Sequence, residues 1–239
     1  MNMQHAPTTI REIKGYIALD SRGRPTLKVK VKTWGGEGWA LSPSGASKGS
    51  REAVELRDGG WRWAGYGVSK ALAALENVVA PRLVGMDSRR QDLVDNTLVA
   101  LDGTVNKSRL GGNTTTAVSL AVARAAADTL GIELYRYLGG PSARRLPVPV
   151  LNVINGGAHA GNDLDIQEFM IVPVGFDSFT EALRAGVEVY HELKKIIASK
   201  YGKSATNVGD EGGYAPPLTR TREALDLLAK AVESAGYNL

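Results

Sequence analysis

Apolar residues and lysines alternate strictly from Leu27 to Thr33, with Leu27, Val29 and Val31 set against Lys28, Lys30 and Lys32. That period of two predicts a β-strand with one buried face and one solvated row of cations. Ile10 to Leu19 is a second strand candidate and Gly38 to Leu41 a short third. Asp20-Ser21-Arg22-Gly23-Arg24-Pro25, rich in turn formers, lies between the first two in the chain. Together the three predict an antiparallel meander with a single solvated face.

The period then lengthens. Val68, Leu72, Leu75, Val79 and Leu83 fall on one helical face. Ser88 followed by Gln91 reads as a capping box, opening a helix with Val94, Leu98 and Leu101 on one side. Asn113 to Leu130 is an alanine-rich helix that Gly131 closes. Strands followed by a block of helices predict an α+β domain over residues 1–140.

A second domain is expected over residues 146–239. Pro147 to Ile154 and Glu168 to Val174 are short and apolar, and predict buried strands. The stretch between them is short and has no helical pattern, whereas a parallel crossover needs a helix, so the two strands are expected to be antiparallel. Ser178 and Glu181 cap a helix that places Phe179, Leu183, Val187, Tyr190 and Ile197 on one face. A segment at Asn207-Val208 precedes a glycine-rich turn, and a last helix carries Leu225, Leu228 and Val232 until Gly236 stops it. A closed α/β barrel takes about 250 residues. If the second domain begins a barrel, the barrel is expected to be unfinished.

Composition narrows the chemistry. The 239 residues are 43% hydrophobic and 23% charged, an ordinary globular balance. The net charge of +4, from 29 basic and 25 acidic side chains, gives no argument for nucleic acid but would not repel an anionic substrate. With no cysteine, disulfides, thiolate zinc sites and cysteine nucleophiles are excluded. Neither a signal-peptide core nor a membrane-length apolar run is present, so a cytoplasmic protein is expected. The 28 glycines fall in short clusters, and those clusters hold the candidate chemistry.

Four segments stand out. Asp20-Ser21-Arg22-Gly23-Arg24-Pro25-Thr26, taken alone, reads as a hairpin turn. Ser44-Gly45-Ala46-Ser47-Lys48-Gly49 is either a flexible surface loop or one that brings its backbone against a ligand. Asn152-Val153-Ile154-Asn155-Gly156-Gly157-Ala158-His159-Ala160-Gly161-Asn162 runs on to Gln167-Glu168-Phe169-Met170. Antiparallel flanking strands would bring Asn155, His159 and Glu168 to one end of the sheet. Gln167 and Glu168 are neighbours, so both reach one pocket only if the strand starts irregularly. The fourth segment, Asn207-Val208-Gly209-Asp210-Glu211-Gly212-Gly213-Tyr214-Ala215-Pro216, is either a solvated acidic loop or a carboxylate delivered to a pocket on a glycine backbone.

Taken in this order, the four segments resemble those of enolases, and Asn106-Lys107-Ser108 and Val118-Ser119-Leu120-Ala121 add further family-like stretches. The resemblance runs from about Thr9 to Leu239, a span too long for chance. It implies an α+β capping domain (antiparallel strands, then helices) followed by the first part of an enolase-type α/β barrel whose second strand is antiparallel. It further implies the Mg²⁺-dependent interconversion of 2-phosphoglycerate and phosphoenolpyruvate, a step of glycolysis and gluconeogenesis, with two Mg²⁺ ions per active site in the complete enzyme. A base removes the carbon-2 proton and hydroxide leaves carbon 3, so the metals must stabilise an enolate-like charge.

Carried over by position, Glu211 resembles the acid that protonates the leaving hydroxyl. That role needs a carboxyl which keeps its proton near neutrality, a state favoured by burial or by a close carboxylate such as Glu168. Glu168, Gln167 and His159 resemble substrate-pocket residues. Ser47 resembles the mobile-loop serine that reaches the second Mg²⁺, with Gly45 and Ala46 closing over the substrate. Lys48 departs from the threonine usual in that loop, and Thr114-Thr115-Thr116 from a more apolar family segment. The main carboxylate ligands, the base lysine and the phosphate-binding groups of enolases match no position in this chain. The chain alone is therefore expected to fold poorly or associate and to have little activity, and to need a separate carboxy-terminal half. Pairing of complete enolases through the capping domain implies a homodimer. The alternative is a non-catalytic enolase-like binding or assembly module.

Overall fold

The lysine-bearing segment forms the middle strand of a three-stranded sheet. In the computed structural model, which describes residues 6–45, 47–157 and 160–239, β1 (Ile10–Leu19), β2 (Pro25–Thr33) and β3 (Glu37–Leu41) pair in that order, all antiparallel. Leu27, Val29 and Val31 are fully buried. On the opposite face the register aligns Tyr16 with Lys28 and Leu41, and Lys14 with Lys30 and Trp39. Lys28 and Arg124 lie over the Trp39 ring at 4.6 and 5.1 Å from its centroid, so this solvated face is cationic and aromatic together. The predicted meander is present. Asp20 closes its first turn by accepting the Arg22 and Arg24 N–H groups on Oδ1, both at 2.9 Å.

Helices cover the apolar face. α1 (Ser69–Ala74) runs through a widened turn at Leu75–Val79 into α2 (Ala80–Leu83). Pro81 has no N–H to give and its ring needs room beside the preceding turn, which the widening supplies. Val68, Leu75, Val79 and Leu83 are fully buried on the predicted stripe, and Leu72 packs beside them. α3 (Gln91–Asp102) buries Val94 and Leu98 as expected, but the capping box is absent. The Ser88 N–H is committed to the Thr8 carbonyl at 2.9 Å, and the Gln91 amide turns to Asp95 and Ser119 instead of reaching back. α4 (Gly112–Thr129) packs its alanine face on β2 and β3 and ends before Gly131 at φ 66°. α5 (Leu134–Gly139) follows.

The chain divides into two units, residues 1–144 and 145–239. In the second, β4 (Leu151–Asn155) and β5 (Glu168–Ile171) are antiparallel, as loop length predicted. Both strands are shorter than the apolar runs that announced them. Pro147, Pro149 and Pro173 cannot donate to a ladder, and Leu146, Val148, Val150, Val172 and Val174 lie outside the strands and are exposed, not buried.

α6 (Phe179–Tyr201) is capped by Ser178, whose Oγ accepts the Glu181 N–H at 3.2 Å. Its buried stripe is Ala182, Ala185, Gly186, Val189, Leu193 and Ile197, while Phe179, Leu183 and Val187 are exposed. The predicted face was thus rotated for all but its last residues. The helix approaches β4 so closely that a Cβ on Gly186 would meet Leu151 Cδ1 at 2.4 Å. Small residues therefore take the contact that periodicity alone assigns to large ones. α7 (Thr221–Ser234) buries Ala224, Leu227, Leu228 and Ala231, leaves Leu225 exposed, and ends before Gly236 at φ 85°.

Candidate active site

Antiparallel pairing sets Asn155, the last residue of β4, opposite Glu168, the first of β5. Gln167 occupies a bend just before the strand, and its Nε2 reaches Glu168 Oε1 at 3.4 Å. The irregular start required for both side chains to share a side is thus present. Both are half-buried.

Asn155 ties this end of the sheet to the acidic turn. It is fully buried; its N–H donates to the Tyr214 carbonyl at 2.9 Å and its Oδ1 accepts the Gly213 N–H at 2.8 Å. Tyr214 in turn donates its N–H to Val153 at 2.9 Å and bridges Ile154 on one side and Val208 on the other. The turn closes on itself through Gly209 N–H to Gly213 O at 2.8 Å and Gly212 N–H to Gly209 O at 3.0 Å. Gly212 sits at φ 84°, and a Cβ on Gly213 would meet Asn155 Oδ1 at 2.7 Å, so both glycines are structural requirements of the turn. The second loop is held in the same way: Asn162 Nδ2 donates to the carbonyls of Asn155 and Pro216, each at 3.0 Å.

The arrangement therefore presents Gln167, Glu168 and the Asp210-Glu211 turn from one end of a strand pair. Asp210 and Glu211 are exposed, so of the two causes that would keep a proton on Glu211, burial is not supplied by the described residues. Asn155 Nδ2 is a buried donor with no partner among the described residues, and such a group is costly unless something accepts from it. His159 and Ala46 lie outside the described residues.

In the first unit, Gly45 and Ser47 are exposed on the loop after β3. The start of that loop is held by Arg22, whose Nη2 donates to the Ser44 carbonyl at 2.7 Å, and by Arg57, whose Nη2 reaches Ser44 Oγ at 3.4 Å. Lys48 lies 3.0 Å from Glu55, which also receives Arg57. Burial pushes the Glu55 carboxyl up, but the Lys48 and Arg57 cations outweigh it and hold the group below its ordinary value. The lysine that departs from the family threonine thus has a partner in the fold.

The donor set does not by itself fit Mg²⁺, which prefers several oxygen ligands in a near-octahedral shell. Among the described residues no group of three or more His, Asp or Glu side chains is placed to hold a metal ion, and Ser47 offers one exposed hydroxyl. Tyr190 and Tyr214 were missed as parts of the site. A half-buried phenol needs a hydrogen-bond partner, but that of Tyr190 is a backbone carbonyl, which leaves no mark in the sequence.

An antiparallel sheet covered by helices, followed by an antiparallel strand pair with a glycine-flanked acidic turn and its own helices, defines the class: a chain of two successive α+β units. The family model for the enolase N-terminal domain matches residues 10–138, and that for the enolase C-terminal TIM barrel domain matches residues 143–239. The chain belongs to the enolase family. It is 63% identical over 229 residues to the enolase of Aeropyrum pernix, covering 95% of this chain and 53% of that protein. Over the same length it is 59% identical to the enolases of Methanopyrus kandleri and Pyrococcus furiosus, again covering 95% of this chain and 54% and 53% of theirs. The chain spans about half the length of these relatives. The family is one of lyases, phosphopyruvate hydratases, and is generally Mg²⁺-dependent.

Proposed function

We propose that this chain supplies the amino-terminal part of an enolase that interconverts 2-phosphoglycerate and phosphoenolpyruvate in glycolysis and gluconeogenesis. The observation that supports it most is the Asn155 bridge, which joins the Asp210-Glu211 turn to the end of β4 opposite Glu168. In this reading Glu211 gives its proton to the hydroxyl leaving carbon 3, so that water departs rather than hydroxide. Gln167, Glu168 and His159 line the substrate, and Gly45, Ala46 and Ser47 close over it and exclude water. The base for the carbon-2 proton and the carboxylates for two Mg²⁺ ions belong to the part of the enolase relatives that this chain does not span. No helix among the described residues is long and apolar enough to cross a membrane, and we place the enzyme in the cytoplasm, as a homodimer when complete.

Phosphoenolpyruvate formation from 2-phosphoglycerate and Mg²⁺ tests the reading, with the chain assayed alone and with a separately expressed carboxy-terminal enolase half. The expected result is negligible turnover alone and activity on mixing. Activity in the chain alone would overturn the assignment of the base and metal ligands. A well-folded chain silent in both assays would favour a non-catalytic binding or assembly module.

A further inference from the structure

The acidic turn has little of its own to hold it in place. Asp210 and Glu211 are exposed, and its glycines carry no side chain to pack. The Asn155 and Gly209 bonds both act at the stem, on Gly213. Gly212, the residue directly after Glu211, gives its N–H to the Gly209 carbonyl within the turn at 3.0 Å, and its own carbonyl is reached from α6: the Tyr190 hydroxyl donates to it at 2.9 Å.

Tyr190 is well suited to fix a position. It stands on α6, a helix of 23 residues whose other face is packed into the core. Its ring stacks on Tyr214 with centroids 4.4 Å apart and planes 12° from parallel. Tyr214 is itself buried at 2% exposure and bonded to β4 through its backbone. Burial, together with the Tyr190 phenol, raises the Tyr214 phenol above its ordinary value, which favours its neutral form in the stack. The phenol is thus delivered to Gly212 from α6, with its ring held by the stack on Tyr214.

We infer that Tyr190 is a positioning residue, whose bond to the Gly212 carbonyl fixes where the Glu211 carboxyl stands. The inference rests on the reading of Glu211 as the proton donor, since displacing a catalytic group by even 1 Å can cost about 100-fold in rate. A purely structural tyrosine would instead affect stability and leave the turn's geometry alone.

Tyr190→Phe keeps the stack and removes the bond; Tyr190→Leu removes both. Amide exchange at residues 209–213 is measured on the 239-residue chain, and kcat and KM for 2-phosphoglycerate on its mixture with a carboxy-terminal enolase half. For Tyr190→Phe we expect exchange at Gly212 and Gly213 to rise roughly 5- to 10-fold, with β1–β3 exchange unchanged. We also expect kcat to fall roughly 10-fold with KM within about 2-fold. The leucine variant should exceed the phenylalanine variant in the exchange at these glycines. Unchanged exchange at the turn would overturn the inference, whatever kcat does, and so would faster exchange with an unchanged kcat. If the unsubstituted mixture fails to turn over 2-phosphoglycerate, the enolase reading falls, and the exchange result alone decides whether Tyr190 holds the turn.

Discussion

Asp87 accepts hydrogen bonds from the Arg89 N–H at 3.0 Å and from the Arg89 Nη2 at 2.6 Å, while Thr9 beside it bridges back at the start of β1. The Arg89 guanidinium, against the opposing effect of burial, lowers the carboxyl from its ordinary 3.8 to about 2. A carboxyl with a lower value folded than unfolded stabilises the fold above its unfolded value and loses that contribution as pH falls through the folded one. Asp87→Asn should therefore lower Tm most above about pH 4, with the two proteins converging near pH 2. Asp87 is partly exposed, so the difference should stay at about 1 kcal/mol or less. Thermal melts across that range check it; an equal difference at pH 2 and pH 6 would show that the pair is not the cause. At this scale the motifs told most about residues that meet across a short distance in sequence, such as Gln167 and Glu168. They were silent on Tyr190, because its partner is a backbone carbonyl 22 residues away that no side-chain pattern marks.

The meeting of β3 with α4 shows what decides an element's place. A Cβ on Gly38 would lie 2.3 Å from the Ala125 nitrogen and 2.5 Å from the Ala121 carbonyl oxygen, so strand and helix touch backbone to backbone. Gly38→Ala has no flexible neighbour to displace and should cost about 1–3 kcal/mol, read as a lower urea midpoint with an unchanged m-value. A neutral result would mean that β3 can move away from α4 at little cost. The same physics explains which elements were legible. The alternation of β2 and the stripe of α1–α2 name their buried faces correctly because large apolar residues carry the contact. The stripe of α6 misleads because alanines and Gly186 carry it, and burial by close approach leaves no hydrophobic mark. Strand lengths misled for a third reason: apolar composition continued past prolines that hydrogen bonding could not.

For the whole chain, the two units face unequal demands. The first closes its core on itself: the buried face of its three strands and α1–α4 surround one cluster that includes Leu27, Val29, Leu75, Leu83, Val118 and Val122, all fully buried. The second rests on a two-stranded sheet, an arrangement marginal without further packing. It also has a cavity of about 580 Å³ between β5, α6 and α7, lined in part by Met170, Val172, Val174, Phe176, Leu225 and Val232. Phe179, Leu183 and Val187 add an exposed apolar row on α6. Large exposed apolar surface of this kind drives association when nothing else covers it. A fragment of residues 1–144 should therefore unfold in one cooperative transition whose midpoint is independent of concentration. A fragment of residues 145–239 should bind a hydrophobic dye and sediment as concentration-dependent species, and a carboxy-terminal enolase half should suppress both. Periodicity and loop length pointed to a two-part chain, since strand-then-helix order and a strand pair without a crossover helix are local signals. The imbalance between the units was harder to see, because it depends on which side chains find partners once the chain is folded. A monodisperse 145–239 fragment that excludes the dye would mean that its own residues cover the cavity, and the apolar row on α6 would then need no partner.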